Sequence, residues 1–256
     1  VNPLSDFLNA NVFALMVIFA RVGTAFAILP GLSAPHVDAR FRLAIAMGLS
    51  LLLLPILSAS LPPQPESATG VFLILAGEIL VGGFLGAVGQ VLLAALNTAG
   101  TLIAMFSSLA NAFIQDPIAE QQSSTVSSLL TTTGILLVFV TDLHHLMIVA
   151  VVDSYSLFVP GSAIPVGDVA DLLAHKVDDS FALGLQLSGP FLIVAMTYYI
   201  GLGLISRLTP ALQAVFFAAM PLQIMMQITV VLITFSSIMM VFLRYFQDGF
   251  TTLLAP

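Results

Sequence analysis

The chain has 256 residues, of which 59% are hydrophobic and only 7% charged, and its mean hydropathy is +1.11. Soluble domains carry about 25% charged residues, so a water-soluble enzyme is excluded by composition and an integral membrane protein is expected. Six Lys+Arg against thirteen Asp+Glu give a formal charge of −7, a balance with no footprint for nucleic acid and no polybasic run for anionic lipid. Cysteine is absent, which removes disulfides, thiolate zinc sites and thiol nucleophiles.

In chain order, six apolar runs are candidates for the roughly 20-residue length that crosses a hydrocarbon core. They are Val12–Leu29, Leu43–Leu61, Val71–Ile114, Val126–Val152, Phe181–Ser206 and Leu208–Leu243. Residues 1–11 hold Asp6 and no Lys or Arg, so the first run is expected to be retained rather than removed as a basic export leader. Val71–Ile114 is 44 residues, roughly 66 Å as one helix, and is expected to bend, turn back or leave the bilayer. The last run contains Pro221, where a break is expected because proline removes a helical hydrogen bond. Between the runs lie Pro30–Arg42, the proline-rich Pro62–Gly70, Gln115–Gln122, and the one sizeable polar segment, Asp153–Ser180. Arg40, Arg42 and Arg207 fall in odd-numbered loops and Lys176 in an even one, so the odd loops are expected to face the cytoplasm and the N-terminus the outside.

Catalytic motifs are missing: there is no HExxH, GxSxG or P-loop. His144 and His145 are adjacent, near Asp142 and Asp153, but neighbouring helical side chains point about 100° apart. A helix-end role is expected for them, so no catalytic, metal or cofactor site is assigned. Arg21 and Glu78 lie inside apolar runs, where an unpaired charge costs about 2.5–3.5 kcal/mol on insertion scales. Glu78 is therefore expected to pair with an arginine, or else to serve as the proton or cation site of a secondary transporter or channel.

Three helical faces stand out. Gly82, Gly86, Gly89 and Gly100 share a stripe with Leu93 and Ala104, the small-residue pattern that lets membrane helices approach closely. Gln121, Ser124, Ser128 and Thr131 share a polar face that either bonds to neighbouring helices or faces water. Gln223, Gln227, Thr234 and Ser237 recur on a Met-rich helix; amides do not face lipid without hydrogen-bond partners, so this side is expected to face protein or a wet passage.

Four stretches together resemble the FliR family, the R component of the bacterial flagellar type III export gate, which is related to the injectisome T component. The first is Arg21-Val22-Gly23 to Leu29-Pro30 with Ala39-Arg40-Phe41-Arg42-Leu43. The second is Gly77-Glu78-Ile79 through Gly82, Gly86 and Gly100 to Asp116-Pro117. The third is His145-Leu146, Ser154-Tyr155 and Pro160-Gly161. The fourth and most specific runs from Gly201 through Arg207, Thr209-Pro210 and Phe216-Phe217 to Pro221-Leu222-Gln223-Ile224.

The resemblance implies an all-α integral membrane protein of bent and broken helices in hairpins, packed into a hetero-oligomeric gate. It implies a non-enzymatic subunit, without cofactors, in the inner membrane at the flagellar basal body. Implied partners are FliP and FliQ homologues, FlhB and FlhA, membrane lipid and the unfolded flagellar proteins in transit. One membrane-embedded domain over residues 1–256 is expected, approximately FliP-like over 1–205 and FliQ-like over 206–256. The family's plug-forming loop would place Met105, Phe106, Asn111, Phe113 and Ile114 at the closed pore.

Overall fold

The structure is a computed structural model describing residues 3–34, 37–58, 60–107, 125–208 and 213–254. Among these residues all regular structure is helical: α1 (Pro3–Ile28), α2 (Ala39–Leu57), α3 (Ala68–Phe106), α4 (Thr125–Val140), α5 (His144–Leu157), α6 (Val166–Leu208) and α7 (Gln213–Leu254). Among the described residues, five segments are long and apolar enough to cross a membrane: Asn11–Ile28, Ala39–Leu57, Ala68–Phe106, Val166–Ile205 and Pro221–Leu253. The bent pair α4 and α5 is a sixth candidate, as a broken span. With Leu52, Ile56, Leu232 and Ile233 all about 70% exposed or more, the chain is an all-α integral membrane protein whose apolar faces require lipid or other polypeptides.

Two expectations about helix ends are corrected, at Pro221 and within Val126–Val152, while the long run from Val71 takes one of the forms expected for it. The run beginning at Val71 is one uninterrupted helix as far as Phe106, 39 residues counted from Ala68, about 58 Å long. It holds no proline, the residue that would remove a ladder bond, and its length takes it beyond a hydrocarbon core about 30 Å thick, one of the outcomes expected for this run. Helix α7 likewise continues through Pro221, and α6 through Pro190. A proline deletes one backbone bond, a loss that membrane helices tolerate when adjacent turns remain paired. Conversely, the run Val126–Val152 is broken at residues 141–143, where α4 and α5 meet at 73°. Asp142 takes a left-handed conformation there, with φ 60°, which no α-helix can carry through.

The polar segment Asp153–Ser180 is also mostly helix: α5 ends at Leu157 and α6 begins at Val166, 15 residues before the apolar run at Phe181. Asp168 occupies the first turn of α6, where the helix dipole favours an acid. One turn further on, Asp171 and His175 face each other at 3.6 Å.

The chain forms two compact units, one comprising Val1–Leu92, Val138–Lys176 and Gln247–Pro256, the other Leu93–Leu137 and Val177–Phe246. In the first, α1 is central. It packs on α2 and α5, and Val17, Ile18, Val22, Ala25, Phe26 and Leu29 are fully enclosed. Its end is made by Pro30 and by Gly31 at φ 82°. The Gln90 amide donates to the Ile28 carbonyl at 2.6 Å and to Ser33 Oγ at 2.9 Å, satisfying an acceptor that helix termination would orphan. Helix α2 starts at Asp38, whose carboxylate accepts from the Arg40 backbone N–H at 2.9 Å, an N-cap. In the second unit the core is built from Leu96, Ile103, Leu130, Phe191, Phe242 and Phe246.

Candidate functional site

The first unit encloses an ion pair. Arg21, on α1, is fully buried, and Glu78, on α3, is 2% exposed. Arg21 Nε donates to Glu78 Oε2 at 2.7 Å and Nη2 donates to Oε1 at 3.0 Å, the two-pronged geometry that suits guanidinium and carboxylate. Two of the three remaining N–H groups are used as well. Nη1 donates to Ser154 Oγ at 3.1 Å and Nη2 to the Phe158 carbonyl at 2.7 Å. The Tyr155 ring lies 4.0 Å from the guanidinium carbon, within cation–π range, and its hydroxyl donates to the Ile18 carbonyl at 3.3 Å.

This one side chain therefore ties α1 to α3, to α5 and to the segment after α5. Beside it, a cavity of about 330 Å³ is lined by Arg21, Glu78, Ile74, Gly77, Val159 and Gly161. Gly161 has φ 80°, so the turn that closes the cavity needs glycine's conformational freedom. Sequence reasoning singled out Glu78 and Arg21 but gave no role to Ser154, Tyr155 or Phe158. The available signal was the Ser154-Tyr155 pair near the end of an apolar helix.

The glycines of α3 create the close approach that makes this pairing reachable. A Cβ on Gly82 would run into the Arg21 carbonyl. On Gly86 it would lie 2.6 Å from Ile28 Cβ, and on Gly89 2.7 Å from Pro30 Cδ. Thus Gly82, Gly86 and Gly89 seat α1 directly on α3 within the first unit. Gly100 lies in the second unit, where a Cβ would collide with the Ser127 backbone. Ser127 Oγ donates to Asn97 Oδ1 at 2.6 Å. On α4 it is thus Ser127 that is buried, while Ser128 is exposed; Gln121 and Ser124 lie outside the described residues.

The Met-rich helix α7 turns inward two of the four polar residues that the sequence singles out. Gln223 and Gln227 are buried. The Gln223 amide donates to the Phe106 carbonyl and to Tyr199 Oη, both at 3.2 Å, and that of Gln227 donates to the Phe191 carbonyl at 3.2 Å. Thr234 bonds back to the Val230 carbonyl at 2.7 Å, and Ser237 is exposed. The Tyr198 hydroxyl, which the sequence did not flag, donates to the Ala219 carbonyl.

The other sequence-selected residues are dispersed. Arg40 is exposed at the start of α2, and Arg42 donates to the Val37 carbonyl at 3.3 Å. Arg207 is exposed near the end of α6, and Phe216, Phe217 and Pro221 belong to α7. Met105 is exposed and Phe106 half-buried at the end of α3. Asn111, Phe113, Ile114, Asp116, Pro117 and Pro210 lie outside the described residues.

This helical architecture coincides with a family match. The model for "Bacterial export proteins, family 1" matches residues 12–249. The flagellar biosynthetic protein FliR of Caulobacter vibrioides is 34% identical over 238 residues, covering 93% of this chain and 94% of that protein. The Escherichia coli K12 protein of the same name is 28% identical over 218 residues, covering 85% and 80%. The Yop proteins translocation protein T of Yersinia pestis is 27% identical over 223 residues, covering 86% and 85%. With a family match over nearly its whole length and a relative above 30% identity, the chain belongs to family 1 of the bacterial export proteins, as a component of flagellar type III protein export.

Proposed function

We propose that this chain is a non-enzymatic subunit of the flagellar export gate, helping to form the passage by which unfolded flagellar proteins leave the cytoplasm across the inner membrane. The observation that carries the reading is the end-to-end match to FliR proteins. FliP and FliQ homologues are the partners that would cover its apolar faces, with FlhB and FlhA joining on the cytoplasmic side. The exposure of Leu52, Ile56, Leu232 and Ile233 suits a polypeptide with extensive contacts to other subunits. In this reading residues 1–205 are FliP-like and 206–256 FliQ-like, and Met105, Phe106, Asn111, Phe113 and Ile114 belong to the plug.

The ion pair removes the main support for a transporter. A coupling carboxylate must exchange its proton or cation, whereas both Glu78 oxygens are held by Arg21. The test is purification of a tagged copy from the native membrane. FliP- and FliQ-like proteins should accompany it in one discrete particle, and its deletion should abolish filament assembly while membrane energisation stays normal. Recovery as a solitary chain, or normal filaments without it, overturns the proposal.

A further inference from the structure

The break between α4 and α5 assembles a group of side chains that the export reading does not use. Asp142, His144 and His145 each offer one ligand atom, and the three atoms lie within 4.8 Å of one another. The backbone explains the convergence. With Asp142 at φ 60°, the turn closes through His145 N–H to the Asp142 carbonyl at 3.0 Å. The Asp142 carboxylate is thereby brought back over the first residues of α5, with Oδ1 3.8 Å from His145 Nδ1. The adjacent histidines, which would diverge within a regular helix, instead have ring centroids 4.2 Å apart. His144 is held in place by stacking on Phe139, at 5.0 Å and 13°. Its Nδ1 is buried without a hydrogen-bond partner, so that nitrogen is not committed to any protein group.

We propose that Asp142, His144 and His145 form a binding site for a divalent transition-metal ion of the zinc class, which fastens the turn at residues 141–143. Two imidazoles and one carboxylate are a borderline ligand set that suits Zn²⁺ or Cu²⁺ over Mg²⁺ or Ca²⁺, which prefer all-oxygen shells. Three protein ligands leave a fourth tetrahedral position for water. The spread of the ligand atoms exceeds that of a metal-loaded site, and the difference is closed by side-chain rotation. Asp142 and His145, 76% and 66% exposed, have room for that rotation, in which His145 Nδ1 gives up its 3.2 Å contact with the Asp142 carbonyl. The carboxylate also supplies the negative charge that offsets the positive amino-terminal end of α5.

The experiment uses the full chain, copurified with its membrane partners and stripped with chelator. Zinc binding is measured by metal analysis after desalting and by calorimetry, and Cu²⁺ is used as a spectroscopic substitute. One zinc per chain is expected, undisplaced by millimolar Mg²⁺, with nitrogen hyperfine coupling in the Cu²⁺ spectrum. His144→Ala and His145→Ala should each abolish it. Asp142→Asn keeps a residue that tolerates the left-handed conformation and should weaken binding by about tenfold or more. His175→Ala, which removes the separate His175–Asp171 pair on α6, should leave the stoichiometry unchanged. Binding that survives in the His144→Ala/His145→Ala double variant, or that disappears with His175→Ala, overturns the proposal. So does a wild-type copper spectrum without nitrogen coupling, a result independent of whether any variant folds.

Discussion

Arg21 and Glu78, 57 positions apart in the chain, are joined by two hydrogen bonds of 2.7 and 3.0 Å in a place that solvent does not reach. Each charge is acceptable there only because the other is present. Ser154 and the Phe158 carbonyl take two of the three guanidinium N–H groups that the carboxylate leaves over.

The pair should therefore behave as a unit. Glu78→Ala strands a buried guanidinium and should cost about 3–5 kcal/mol, as should Arg21→Ala for the carboxylate. The double variant Arg21→Met/Glu78→Leu should recover much of that loss, because neither charge then remains. Steady-state abundance in the membrane and thermal unfolding of the purified complex measure it; a double variant no better than the singles would show that the pair does not act as one element.

A second expectation contrasts neighbouring glycines on α3. Gly86→Ala drives a Cβ to 2.6 Å from Ile28 Cβ, whereas on Gly83 the nearest atoms are 3.9 Å away. Gly86→Ala should cost about 1–3 kcal/mol through overpacking, and Gly83→Ala should be neutral or slightly stabilising in a helix interior. Thermal shift of the two variants side by side decides it.

The buried amides of α7 differ in how fully they are satisfied. Gln223 donates to two acceptors, and Gln223→Leu should cost about 1 kcal/mol. Gln227 makes one bond while its Oε1 is buried without a partner. Gln227→Met should accordingly be close to neutral, since it removes an unmet acceptor along with the bond. Equal losses at the two positions, read by denaturant titration, would contradict this account.

At the break between α4 and α5, backbone conformation sets the ranking. Asp142 has φ 60°, so Asp142→Gly and Asp142→Asn should preserve the turn, whereas Asp142→Val should destabilise it by about 1–3 kcal/mol. Protease susceptibility near residues 141–143 provides the readout.

The plug proposal is tested by function. Phe113→Gly combined with Ile114→Gly should raise ion leakage across the membrane, measured by conductance or by growth under ionic stress; unchanged leakage would remove these residues from the closure.

The apolar runs, the near-absence of charge and the glycine stripe were legible in the linear order of residues, because lipid solubility and close helix approach are properties of composition and spacing. Helix limits were less legible. The break at Asp142 depends on one residue adopting φ 60°, and the early start of α6 on a polar segment whose acids suit a helix N-terminus. The partners of Arg21 could not be read locally. Glu78 is 57 residues away, Ser154 133 and the Phe158 carbonyl 137, separations at which spacing carries no information about contact. The sequence by itself determined that this is an apolar helical chain of an export family, because hydropathy and motif order survive without coordinates. Only the tertiary structure decided which charges neutralise each other and which polar groups converge, because burial and pairing arise when distant helices meet.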